Sequence, residues 1–77
     1  MREQTRVTEV AYLRLFAFQE QGRWAASVHD LEKHQRVKSK VPVPNTEDGA
    51  KGEALTLAAE YLGKLPGELE KPVWRNG

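Results

Sequence analysis

The clearest periodic signal in the chain is residues 36–43, Arg36-Val37-Lys38-Ser39-Lys40-Val41-Pro42-Val43. Val37, Val41 and Val43 fall on one side of a period-two alternation, and Arg36, Lys38 and Lys40 fall on the other. β-Branched residues opposite cations describe a half-buried strand. Pro42 has no N–H to give to a ladder, so this strand lies at a sheet edge or ends near there. Residues 23–30 read as the preceding strand, with Trp24, Ala26 and Val28 alternating against Arg23, Ala25, Ser27 and His29. Residues 10–18 read as a first strand with two apolar rows. Ala11, Leu13, Leu15 and Ala17 make one row, and Val10, Tyr12, Phe16 and Phe18, with Arg14 among them, make the other.

Hairpin register decides which row turns inward. Gln21-Gly22 suits a two-residue loop, because glycine supplies the positive φ that such turns need. Leu15 then faces Val28, Ala17 faces Ala26 and Gln19 faces Trp24, and facing residues share a side of the sheet. A four-residue loop, Leu31-Glu32-Lys33-His34, sets Val28 opposite Val37 and Trp24 opposite Val41. Both bends put Leu13, Leu15, Trp24, Val28 and Val37 on one inner face. A loop longer or shorter by a single residue reverses the assignment.

A helix follows. Thr46 suits the N-cap, with Glu47 and Asp48 in the first turn where acid complements the helix dipole. Gly49 and Gly52 weaken that start and favour one nearer Lys51. Leu55, Ala58, Ala59, Leu62 and Leu65 form an apolar stripe, and Gly63 or Pro66-Gly67 ends the helix. The expected fold is therefore α+β, a three-stranded antiparallel meander with one C-terminal helix packed on one face. It occupies residues 1–65 as a single domain and leaves 66–77 as a tail. The alternative is a mostly α, helix-turn-helix-like fold. Residues 9–21 hold many helix formers ahead of Gly22, and Ser27-Val28-His29-Asp30 matches a short capping pattern. Pro42 and Pro44 count against its third helix.

Size and charge narrow the function. A 77-residue chain makes one domain, and a chain this short buries only about 60% of its unfolded surface. That favours a flat binding face or a dimer interface over a deep catalytic cleft. Twelve basic and eleven acidic residues leave a net charge of +1, which gives no global signal for nucleic acid. The distribution is less even. Residues 6–44 carry seven basic and four acidic groups, net +3, and residues 45–77 carry four and six, net −2. The chain has no cysteine, hence no disulfide scaffold and no thiolate metal site. It has no run of about eighteen apolar residues to span a membrane, and its first residues, MREQTRVTEV, lack the apolar core of a secretory signal. These features fit a cytoplasmic protein.

Catalytic and cofactor motifs are missing: there is no GxSxG, HExxH, GxGxxG or P-loop. His29 and His34 read as ordinary polar histidines at a hairpin end, and no metal or other cofactor is expected. The acid pairs Glu47/Asp48 and Glu68/Glu70 read as caps or solvated turns. The expected function is therefore non-enzymatic.

The outer face of the sheet carries the chemistry. The register above places Tyr12, Arg14, Phe16 and Phe18 there from the first strand, Arg23 and His29 from the second, and Arg36, Lys38 and Lys40 from the third. Cations neutralise phosphates and release counterions, and aromatic faces stack unpaired bases. Phe16 and Phe18 left bare make an apolar patch, which Val73-Trp74 of the tail or a second copy of the chain would cover.

Residues 22–62 resemble the arm-type DNA-binding domain at the N-terminus of some tyrosine recombinases. Gly22-Arg23-Trp24-Ala25-Ala26-Ser27-Val28 matches the opening of that pattern, Arg36, Lys38 and Lys40 match its basic strand, and Thr46 with Glu53-Ala54 matches its approach to the helix. The resemblance covers about half the chain and implies three antiparallel strands and a helix, with the sheet entering the DNA major groove. Arg23, Arg36, Lys38 and Lys40 would face that groove, and recombinase activity is not implied. Two functions are thus expected for one face. The first is a nucleic-acid-binding module, with DNA ahead of RNA. The second is a protein-interaction or homodimeric accessory or inhibitor protein of the phage or plasmid type that buries the same surface.

Overall fold

The computed structural model describes residues 3–69 and 71–77, so Glu70 of the Glu68/Glu70 pair lies outside it. The sheet begins earlier than the sequence pattern indicates. β1 (Thr5–Val10) pairs antiparallel with β2 (Leu13–Glu20) across a two-residue turn at Ala11-Tyr12. Ala11 takes φ 55° there without help from glycine, asparagine or aspartate, so no turn residue announces the break. β2 pairs with β3 (Arg23–Asp30), β3 with β4 (Gln35–Lys40), and β1 with β5 (Arg75–Asn76). The sheet is thus five antiparallel strands in the order β4-β3-β2-β1-β5. The α+β class stands with one helix, but the three-stranded meander does not. The helix-turn-helix alternative also falls, because residues 9–21 lie in strands and turns.

The β2–β3 hairpin has the expected register. Gln21 and Gly22 both take positive φ, 53° and 78°, and Leu15 faces Val28, Ala17 faces Ala26 and Gln19 faces Trp24. The next bend also starts as expected, with Asp30 opposite Gln35 and His29 opposite Arg36. A β-bulge then intervenes, and Val28 faces Lys38 instead of Val37. One extra residue on a strand reverses the facing of everything beyond it. Lys38 and Lys40 therefore turn to the helix side, contrary to the sequence reading.

The helix α1 (Glu47–Leu62) packs on β2 and β3. The side chain of Thr46 accepts the Gly49 N–H at 3.0 Å, so the helix starts at its cap and not near Lys51. Gly49 is required there, since a Cβ would lie 2.4 Å from the Pro44 carbonyl oxygen. Gly63, at φ 72°, ends the helix. Its N–H reaches Glu60 O at 3.2 Å, and the Lys64 N–H reaches Ala59 O at 2.8 Å, the paired bonds of a Schellman cap.

The core joins Leu13, Leu15, Ala26 and Val28 of the sheet to Ala54, Leu57 and Ala58 of α1. The helix thus turns a smaller-residue face inward than the expected stripe. Leu55 and Leu62 lie at its margin, and Leu65, beyond the helix end, is exposed. Trp24 is half-buried outside the central cluster. β4 has already ended there, and the Asn45 side chain replaces it, accepting the Trp24 N–H and donating to the Trp24 carbonyl, both at 2.8 Å. The segment expected as a tail packs back on the domain. Trp74 joins the rim of the core on the helix side, with Lys51 Nζ 5.9 Å from its ring centroid, so it does not cover Phe16 and Phe18. Among the described residues no helix is long and apolar enough to cross a membrane.

Candidate nucleic-acid interface

Strand alternation puts Thr5, Val7 and Glu9 of β1 on the face away from α1, with Arg14, Phe16, Phe18 and Glu20 of β2. β3 adds Arg23, Ala25, Ser27 and His29, β4 adds Arg36 and Ser39, and β5 adds Arg75. Three rows cross this face. Glu9, Arg14, His29 and Arg36 form the first. Val7, Phe16, Ser27 and Ser39 form the second, and Thr5, Phe18 and Ala25 form the third. Phe16 and Phe18 are half-buried by their neighbours in these rows, while Val7 and Ser27 between the strands are buried. A shallow depression beside Phe18 is lined by Glu20, Ala25, Arg36, Ser39, Lys40 and Val41. It exists because β3 and β4 present only Ala25 and Ser39 next to a phenyl ring.

The cations of this face differ in their partners. Glu9 is shared by Arg75, at 2.5 Å, and Arg14, at 3.2 Å. The Arg75 hydrogen bond and then Arg14 hold its carboxyl below its ordinary value, against the smaller opposing effect of burial. Arg23 and Arg36 have no ion-pair partner among the described residues. His29 stands edge-on to the Phe16 ring at 5.0 Å and 70°. Burial first, then the positive charges of Arg36 and Arg14, push its imidazole below its ordinary value.

Six of the nine residues assigned to this face from sequence are here: Arg14, Phe16, Phe18, Arg23, His29 and Arg36. Three are not. Lys38 and Lys40, turned by the bulge, reach Glu60 at 3.9 Å and Glu53 at 3.2 Å on α1. Tyr12 sits in the β1–β2 turn, and its ring meets Tyr61 of α1 edge-on at 6.4 Å. Sequence reasoning missed Val7, Glu9, Ser39 and Arg75. The β-branched residues Thr5, Val7, Thr8 and Val10 are a usable strand signal for β1, although they do not alternate with period two and so do not assign the faces of Val7 and Glu9. Arg75 arrives only through the long-range return of the chain to β1, which no local pattern announces.

Beneath the other end of the sheet lies a buried polar cluster. Asp30, 1% exposed, accepts the Tyr61 hydroxyl at 2.7 Å and the N–H groups of Glu32 and Lys33 at 2.9 and 3.0 Å. The Tyr61 bond first, then those of Lys33 and Glu32, hold its carboxyl below the ordinary value. All its contacts serve to tie the β3–β4 turn to α1, a structural task. Among the described residues no group of three or more His, Cys, Asp or Glu could hold a metal ion. No family model, curated protein or solved structure matches the chain.

Proposed function

We propose that the chain is a small, non-enzymatic, cytoplasmic nucleic-acid-binding module that works through the open face of its sheet. The observation that carries this reading is the arrangement of four arginines, Arg14, Arg23, Arg36 and Arg75, around the half-buried rings of Phe16 and Phe18. Guanidinium groups are weakly hydrated and fork-shaped, which suits phosphate oxygens. Glu9 and Glu20 offset part of this charge but leave the face cationic. Pairing this face with a second copy would bring two net-cationic surfaces together, a like-charge cost that a polyanion does not meet.

The test is a fluorescence-anisotropy titration with labelled DNA and RNA, single-stranded and duplex, at several salt concentrations. Four neutralised phosphates give a log–log salt slope of about −3. Affinity that ignores salt, or no affinity for any of these probes, overturns the reading. The mass in solution is measured in parallel. A tight dimer that hides Phe16 and Phe18 assigns the face to self-association instead.

A further inference from the structure

The width of the sheet and the spacing of its rings narrow the class of nucleic acid. Strands lie about 4.8 Å apart, so four long strands span roughly 14 Å between outer axes, and five span roughly 19 Å where β5 joins. The DNA major groove is about 12 Å wide. That groove admits an α-helix or a two-stranded ribbon, and this sheet is wider than either. Phe16 and Phe18 are two residues apart on one strand, so their attachment points are about 6.7 Å apart. Stacked bases of a duplex repeat every 3.4 Å or so. Neighbouring bases can meet both rings only after they have unstacked.

Beside Phe18 the structure also provides a place for a base to go. The phenyl ring forms one wall of the depression, the 54%-exposed Val41 forms part of the other, and Ala25 and Ser39 leave its floor low. Arg36 stands at the rim, where it has no carboxylate partner among the described residues. Glu20 also lines the slot. A carboxylate repels phosphate but accepts a hydrogen bond from the exocyclic amine of a base. Lys40 lines the slot as well, with its ammonium drawn to Glu53 at 3.2 Å. Apolar walls, an unpaired cation at the rim and an acceptor at one side match an unpaired base with its backbone on the arginine side.

From these features we infer that the face takes single-stranded nucleic acid, with one base seated in the slot between Phe18 and Val41 and its phosphate at Arg36. This rests on the nucleic-acid reading above, and the test separates the two. Three labelled probes of about 12 nucleotides are titrated: a single strand, the same sequence as a duplex, and an abasic strand with the same phosphates. The intact single strand binds at least about tenfold tighter than the duplex, and the abasic strand keeps the salt slope while losing most of the affinity. Phe18→Ala weakens the intact strand by about fivefold to a hundredfold and leaves abasic binding unchanged. Ala25→Leu, which fills the floor while keeping Phe18, acts in the same direction and guards against a folding defect in the first variant. Equal or tighter duplex binding overturns this inference but leaves the nucleic-acid reading intact. So does an abasic strand that binds as well as the intact one, or a Phe18→Ala protein that binds unchanged. Failure of all three probes removes both readings.

Discussion

On the helix side of the sheet, cations meet carboxylates of α1. Arg6 reaches Glu47 at 3.5 Å, Lys51 reaches the same group at 2.8 Å, and Lys40 and Lys38 reach Glu53 and Glu60. On the open side, Arg14 and Arg75 share one carboxylate, and Arg23 and Arg36 have none among the described residues. Side chains of the same charge therefore have different uses on the two faces. Those beside the helix balance its acidic surface, each exposed pair contributing only about 0–1 kcal/mol. Those opposite leave charge uncompensated, where a polyanion gains most from it. A two-layer domain has only one core, so its second sheet face is the large surface on which such charge can be kept at little cost to folding.

The largest expected effect contrasts neighbours on β2. Leu15 is 0% exposed in the core, and Phe16 is half-buried on the open face. Leu15→Ala costs about 2–5 kcal/mol. A domain this small has only a few kcal/mol of net stability, about 3–5, so that variant is largely unfolded in a urea titration. Phe16→Ala costs about 1–2 kcal/mol, in line with its partial burial, and the domain stays folded. Equal losses at the two positions would mean that the open face is a second core, and the contrast between faces would fail. Next in size is binding. Arg23→Glu combined with Arg36→Glu weakens single-strand binding by about 10–100-fold and moves the urea midpoint by no more than about 0.5 kcal/mol in stability. A large stability change with intact binding reverses the roles assigned to the two faces.

Much of this arrangement is legible in the residues, and the gaps have local physical causes. Gln21-Gly22 encodes its turn chemically, so the whole β2–β3 ladder follows from it. The helix ends are only partly explicit: Thr46 is a good cap, but Gly49 and Gly52 point to a start nearer Lys51, and Gly63 is one of two possible stops. Ala11-Tyr12 carries no turn chemistry. The turn there is set by the pairing of β1 with β2, and residues 10–18 therefore read as one strand. The bulge in β4 is silent for a related reason. Nothing about Val37 or Lys38 marks an extra residue, and the strict alternation of residues 36–41 argues against one. The bulge brings Lys38 within reach of Glu60 and Lys40 within reach of Glu53, partners on a helix that strand periodicity cannot see. Arg14, Arg23, His29 and Arg36, all assigned to the open face through the two bends, lie before the bulge and keep that facing.

pH separates the faces in another way. The folded state holds His29 below its ordinary value of 6.5, so its share of the stability is complete above 6.5 and is lost as pH falls through the lower, folded value. Bound phosphates act in the opposite sense, since they favour the imidazolium. Single-strand affinity therefore rises over the same acidic window in which the free protein loses stability. His29→Gln removes both trends, and thermal melts with anisotropy titrations across the range measure them. Further down, Glu9, Glu47 and Asp30 are all held below their ordinary values of 4.5, 4.5 and 3.8. Their contribution is present above those values and disappears as pH falls through the folded ones, with Asp30→Asn blunting the acid limb. An affinity that falls in step with stability between neutral pH and 5 would place His29 outside the contact surface.

The smallest expected effect is the most discriminating, because it tests the bulge directly. Without a bulge, Lys38 and Lys40 would stand in the rows of Phe16 and Phe18, and neutralising them would weaken binding much as loss of Arg36 does. With the bulge, each reaches an α1 carboxylate, Lys38 away from the bound strand and Lys40 at the edge of the slot, which it also lines. Lys38→Gln is therefore expected to leave single-strand affinity within about twofold, and Lys38→Gln and Lys40→Gln to lower stability by no more than about 1 kcal/mol each. The Lys38 pair is the longer and more open of the two, 3.9 Å against 3.2 Å, so its loss is the lesser. Lys38 then serves as an internal control for Arg36, two positions away on the same strand and carrying the same charge. A tenfold loss of affinity on neutralising Lys38 would return it to the open face, and the register of β4 with it.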